Sequence, residues 1–152
     1  MVIKVKSTVF GEGNPIPKRY TCDGLNVSPP LEMSGVQESA KSLAIICEDP
    51  DAPSGVWTHW VIFNIPPESK TLPEGVEMDE LLEDGSKQGL NDSGMVGYSG
   101  PCPPGGTHRY YFRVYALDSK LDLPPRISKQ ELLNAMEGHV LDKGQLMGLY
   151  SR

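Results

Sequence analysis

The chemistry this sequence can do is concentrated in two loops, each stiffened by proline and glycine and each delivering a histidine. The first runs Asp49-Pro50-Asp51-Ala52-Pro53-Ser54-Gly55-Val56-Trp57-Thr58-His59-Trp60. The second runs Gly97-Tyr98-Ser99-Gly100-Pro101-Cys102-Pro103-Pro104-Gly105-Gly106-Thr107-His108-Arg109-Tyr110. Proline restricts the backbone and glycine lets it approach a neighbour closely, so such loops hold a shape. An imidazole against Asp49 or Asp51 is favoured in its cationic form near neutral pH. Beside backbone N–H groups from Gly97 to Gly100, that cation suits a phosphate or sulfate oxygen through charge-assisted hydrogen bonds. Trp57 and Tyr110 would supply aromatic walls that exclude water.

The same residue types admit other chemistry. Two histidines and a carboxylate can hold iron or zinc as a facial triad, or act as general acid and base in a hydrolase. The stiff loops could also be presented to a protease or kinase as a rigid inhibitory ligand. A serine hydrolase is disfavoured, because Gly97-Tyr98-Ser99-Gly100 lacks the Gly-x-Ser-x-Gly spacing; Ser99 reads as a loop hydrogen-bonder. Of the two aspartates, one is expected to serve the turn and the other to face the pocket. Arg109 points away from His108 and should pair with an acidic neighbour across the sheet.

The elements that must position these groups are mostly strands. Thr58 to Ile65 alternates, with His59, Val61, Phe63 and Ile65 on one face and Trp60, Ile62 and Asn64 on the other. Thr107 to Leu117 alternates too, His108, Tyr110, Phe112, Val114 and Ala116 sharing a face. Ser42 to Cys47 is an apolar run of strand length, consistent with burial on both faces. Ile3, Val5 and Thr8 to Phe10 suggest a first strand, Val76 to Met78 and Lys87 to Leu90 weak ones. Gly11 to Gly35 is dense in turn residues. Short strands with Pro/Gly punctuation predict a sandwich or barrel-like sheet pair. One helix is expected from Ser128, where Glu131 completes a capping box and Leu132, Leu133, Ala135 and Met136 form a stripe. Gly138 should interrupt it before Val140 and Leu141 resume.

The 152 residues fit one domain, 1–152. A net charge of −6 argues against a nucleic-acid platform or a basic membrane patch. No stretch reaches the roughly 20 apolar residues of a membrane span. The alternating N-terminus reads as a strand and not a signal peptide, so a cytoplasmic protein is expected. The three cysteines lack metal-type spacing. Cys47 is expected in the core and the odd count reads as reduced thiols, although Cys22 and Cys102, both in Gly/Pro loops, leave a bridge open. The acidic surface permits a homodimer without demanding one.

Asp49-Pro-Asp-Ala-Pro53, Trp57-x-His59-Trp60-Val61 and Gly100-Pro-x-Pro-Pro-x-Gly-Thr-His108-Arg-Tyr110 resemble the signature blocks of the phosphatidylethanolamine-binding protein family. That family includes the Raf kinase inhibitor proteins. Arg19-Tyr-Thr-Cys-Asp-Gly24, Asn26-x-Ser-Pro-Pro-Leu31 and Ala135-Met-Glu-Gly-His-Val140 resemble its compact bacterial and archaeal branch, so the match spans nearly the whole chain. The resemblance implies a mainly β fold, a sandwich of two antiparallel sheets with a peripheral C-terminal helix and an anion pocket at one end. It implies that Asp49, His59, His108 and Tyr110 line the pocket, joined by Ala52, Pro53, Trp57, Gly97, Gly100 and Cys102. It further implies a binding protein rather than an enzyme, with no cofactor or metal, taking a small anion or phosphorylated head group. A protein kinase or protease would be the protein partner. Two departures bear on the last point: the Pro53–Trp57 loop is shorter than in the animal proteins, and Cys102 stands where those have proline.

Overall fold

The computed structural model describes residues 2–152, and β-structure dominates it. The strands are β1 (Lys4–Lys6), β2 (Leu31–Ser34), β3 (Ser42–Asp49), β4 (Trp57–Ile65), β5 (Thr71–Leu72), β6 (Lys87–Gln88), β7 (Thr107–Leu117) and β8 (Val140–Ser151). They form a three-stranded sheet ordered β1-β2-β5 and a five-stranded sheet ordered β6-β4-β3-β7-β8, all pairs antiparallel. One face of the large sheet packs on the small sheet. Leu43, Ile45 and Cys47 from β3, Trp60 and Ile62 from β4, and Phe112 and Val114 from β7 meet Val5, Leu31 and Met33 there. The fold expected from the sequence and from the family resemblance is the fold observed.

β3 carries no polar face because both its faces are covered. Ala44 and Ile46 look outward, where they join Val61, Phe63, Leu132 and Met136 in a second cluster under the helix α1 (Lys129–Met136). The predicted capping box is present: Glu131 N–H donates to Ser128 Oγ, and Ser128 N–H donates to Glu131 Oε1, each at 3.1 Å. Lys129 and Arg113 both pair with Glu48, which pins the start of the helix to the sheet.

Several local expectations are corrected. The helix does not resume after Gly138; Val140 opens β8, the longest strand. Its glycines hid it, and both are required. A Cβ on Gly144 would lie 1.9 Å from the Ile3 carbonyl oxygen, and one on Gly148 would lie 2.5 Å from Ile16. The N-terminal segment crosses β8 too closely for side chains there. Thr8 to Phe10 and Val76 to Met78 are not strands, whereas β2 and β5, unread in the sequence, complete the small sheet.

Candidate functional site

β3, β4 and β7 end together at one edge of the sandwich, and their last inward residues set the site. On β3 the inward series Leu43, Ile45, Cys47 continues to Asp49; on β7 the series Val114, Phe112, Tyr110 continues to His108. Strict alternation on β4 would send His59 to the opposite face, with Val61 and Phe63. A β-bulge prevents this: Cys47 pairs with Trp60 and Glu48 with Thr58, leaving His59 as the extra residue. Its ring therefore joins the inner side, 4.4 Å from the Trp57 ring and 5.2 Å from that of Tyr110. A second irregularity near Asn64, whose φ is 57°, returns Ile65 to the inner core with Trp60 and Ile62. The facing read from simple alternation is thus corrected twice in one strand.

The histidines are oriented by different partners. His108 Nδ1 donates to Asp49 Oδ2 at 2.7 Å, with both groups buried. Asp49 Oδ1 in turn accepts the Asp51 backbone N–H at 2.7 Å, so one carboxylate both closes the turn and orients the ring. Asp51 is the second structural aspartate. It takes the Arg109 guanidinium and backbone N–H, and Arg109 holds its carboxyl down to about 2. His59 Nδ1 donates to the Ser99 carbonyl oxygen at 2.5 Å. A carbonyl can only accept, which fixes the proton on Nδ1 of His59. Burial pushes the His59 pKa below its ordinary 6.5, with the Ser99 carbonyl and the Asp49 and Asp92 carboxylates offsetting only part of the cost. Burial thus disfavours the imidazolium form of His59, the histidine that no aspartate holds.

Both Nδ1 atoms are committed, and among the described residues neither Nε2 makes a hydrogen bond. Tyr110 adds a third unpartnered group. The residue is fully buried, its hydroxyl has no partner among the described residues, and burial raises its pKa well above the ordinary 10. A buried hydroxyl without a partner costs free energy unless something in the cavity meets it.

The residues that carry these groups line a hollow of about 450 Å3. Asp49, His59, His108, Tyr110, Ala52, Pro53, Trp57, Gly100 and Cys102 all line it. Gly97 does not. Its φ of 99° turns the loop, its N–H is bonded to Gly89, and a Cβ there would strike Met78 Sδ at 2.6 Å. The Gly97–Gly100 amides form no free nest either, because Ser99 N–H donates to His59 O and Gly100 N–H to Asn26 Oδ1. Sequence reading missed Cys22, Ser54, Ser93, Ser99, Pro103 and Pro104 in the lining. Cys22 and Cys102 are disulfide-bonded, which corrects the expectation of reduced thiols and ties the 19–26 segment to the second loop. Tyr98 hydroxyl to Tyr20 O reinforces that tie, and Tyr150 hydroxyl to Asp23 Oδ2 holds the same segment to β8. Among the described residues no group of three His, Cys, Asp or Glu is arranged to hold a metal ion. No helix is long and apolar enough to cross a membrane.

Comparison with known proteins places this geometry in context. The family model described as phosphatidylethanolamine-binding protein matches residues 6–151. A protein of Methanothermobacter thermautotrophicus named UPF0098 protein is 61% identical over 99% of both chains. The crystal structure of a phosphatidylethanolamine-binding protein homolog from Chlamydia trachomatis aligns with a TM-score of 0.92 at 43% identity, covering 99% of this chain and 98% of that one. YbcL of E. coli, described as a member of the mammalian PEBP family, aligns with a TM-score of 0.92 at 32% identity, covering 100% of this chain and 99% of its own.

Proposed function

The chain belongs to the phosphatidylethanolamine-binding protein family, and from that premise we propose that it captures a phosphoryl or carboxylate head group without turning it over. The observation that carries the reading is the set of three uncommitted polar groups, His59 Nε2, His108 Nε2 and Tyr110 hydroxyl, around one aromatic-walled hollow. Tyr110 donates to an anion oxygen at any ordinary pH. His108, supported by the Asp49 carboxylate, donates once protonated. Neutral His59 accepts a proton from the ligand, or takes one from solvent as the anion arrives.

Protonation and binding therefore proceed together at His59. A bound negative charge favours the imidazolium that burial disfavours, so the ligand supplies the charge the site lacks. A monoprotonated phosphate ester suits this arrangement well, offering both an acceptor to Tyr110 and His108 and a donor to His59. The surrounding Trp57 and prolines exclude competing water and strengthen these bonds.

Capture is favoured over covalent catalysis because neither imidazole is bonded to a protein nucleophile. Among the described residues no serine hydroxyl bonds to either ring, Cys22 and Cys102 are oxidised, and Cys47 is buried in the core. A cytoplasmic setting, and a protein kinase or protease that contributes the anionic group, belong to the same reading.

Isothermal titration with phosphoethanolamine, inorganic phosphate and acetate at pH 6 tests it. One-site binding that is lost in His108→Ala and Tyr110→Phe, with no product from a panel of esters and phosphoesters, is expected. Turnover that depends on His108 would assign the site to a hydrolase instead.

A further inference from the structure

A second hollow, a groove of about 720 Å3, lies between the N-terminal segment and β8. Its size is within the range of ligand sites, about 300–1,000 Å3. Its origin is a mismatch in chain length. Ile3 N–H donates to the Lys143 carbonyl and Gly13 N–H to the Met147 carbonyl. The N-terminal chain takes the eleven residues from Ile3 to Gly13 to follow the five from Lys143 to Met147. It bows away between these two contacts, and the groove is what the bow leaves open.

Each wall of the groove carries one strand residue with open backbone groups, Gln145 on β8 and Val5 on β1. Lys143, Met147 and Leu149 on β8 point their backbone groups away from β7, toward Ile3, Glu12, Gly13, Asn14 and Ile16. The β7–β8 register is unbroken across this stretch, so Gln145 points the same way by the two-residue alternation. Among the described residues its N–H and C=O meet no backbone partner. On the facing wall Val5 lies opposite Met33, whose N–H is bonded on its other side to Lys70 O. The Val5 backbone groups are therefore directed away from β2, toward the groove. A strand edge left open in this way is a template for another strand.

Side chains decide what kind of strand fits. Val5, Phe10 and Leu146 give the groove an apolar lining, and Val2 stands 71% exposed at its end. Lys4, Lys6 and Lys143 also line it, and none has a carboxylate within ion-pair distance among the described residues. The one acid there, Glu12, is engaged by the Met147 N–H. In a chain of net charge −6 this is a local concentration of unmatched positive charge. We propose that this groove docks a short, extended, acidic peptide segment of a protein partner, held at the open Val5 and Gln145 backbone groups. An acyl chain would cover the apolar lining but leave four backbone groups and three ammonium groups unmet.

The test is titration of 15N-labelled protein with the capped peptide Glu-Val-Glu-Val-Glu-Val, with Lys-Val-Lys-Val-Lys-Val and decanoate as comparison probes. Saturable shifts at the Val5 and Gln145 amides with the acidic peptide are expected, with Ser99 to Cys102 unmoved. The triple variant Lys4→Glu, Lys6→Glu, Lys143→Glu should bind it about tenfold more weakly, as three surface charge contacts warrant. Raising salt should weaken binding to the unmodified protein, a readout that needs no variant. Absence of saturable shifts, equal binding of the basic peptide, salt-independent affinity, or occupancy by decanoate instead would overturn the proposal.

Discussion

His108 and Asp49 meet at 2.7 Å through Nδ1 and Oδ2, and the same carboxylate closes the Asp49–Asp51 turn through its other oxygen. One buried side chain thus couples the shape of the first loop to the orientation of a ring delivered by the second. The Pro/Gly stiffening of both loops has its purpose here, because an error in either would misplace the His108 Nε2. Replacing Asp49 by Ala should cost about 2–3 kcal/mol, the worth of a charged hydrogen bond that leaves a buried partner unmet. Asp49→Asn, which keeps the acceptor for the turn, should cost less in denaturant unfolding while still weakening anion binding.

Affinity for a permanently charged anion should depend on His59. Its pKa lies below 6.5 in the free protein, so binding of methanesulfonate should strengthen as pH falls from about 7.5 to 5, by at most about tenfold per pH unit for one proton taken up. The sign is opposite for stability without ligand. Between 6.5 and the depressed folded value the unfolded chain holds more protons on this histidine, so its contribution is lost as pH falls through that window. A calorimetric pH series on sulfonate binding checks the first trend and thermal melts check the second; a flat binding profile would remove His59 from the mechanism.

Tyr110→Phe should separate stability from binding. Removing a buried hydroxyl that has no protein partner should leave the protein as stable or raise its stability by about 1 kcal/mol. The same change should weaken phosphate binding. A destabilised variant would mean that the hydroxyl has a structural partner after all.

The Cys22–Cys102 bridge joins residues 80 apart. Opening so long a loop in the unfolded chain should cost about 4.5 kcal/mol of stability, or about 9–18 °C in Tm. Melting the protein with and without a dithiol reductant measures this, with Cys102→Ser as the matched variant. Because both cysteines line the hollow, anion affinity should fall alongside stability.

Gly144→Ala tests the crossing of β8 by the N-terminal segment. The added methyl would fall 1.9 Å from the Ile3 carbonyl oxygen, so the segment must move. A loss of about 1–3 kcal/mol is expected from denaturant unfolding, the usual range for overpacking. An unchanged stability would mean that Ile3 does not sit against β8.

Much of this architecture was legible because particular residues have only one use. The β7 strand was readable over its full length, since alternation from Thr107 to Leu117 runs without a bulge until its last pair. Nine of the ten residues that the family resemblance implies at the pocket line it, a set that alternation alone does not give, since it sends His59 to the other face. What stayed hidden depends on contacts distant in sequence. The bulge that turns His59 inward is defined by its pairing with β3 and leaves no local mark. The glycines of β8 resemble helix breakers until Ile3 and Ile16 are seen against them. The Gly97–Gly100 amides looked available until Asn26 and the His59 carbonyl claimed two of them.

The central claim is tested most directly by watching the two imidazoles themselves. Ring 15N spectra of His59 and His108 should be recorded at pH 6 while inorganic phosphate is added. Both Nε2 signals should move together toward the protonated, hydrogen-bonded range and saturate at one equivalent. If phosphate leaves both rings unchanged while the protein remains folded, the hollow does not receive anions and the account fails.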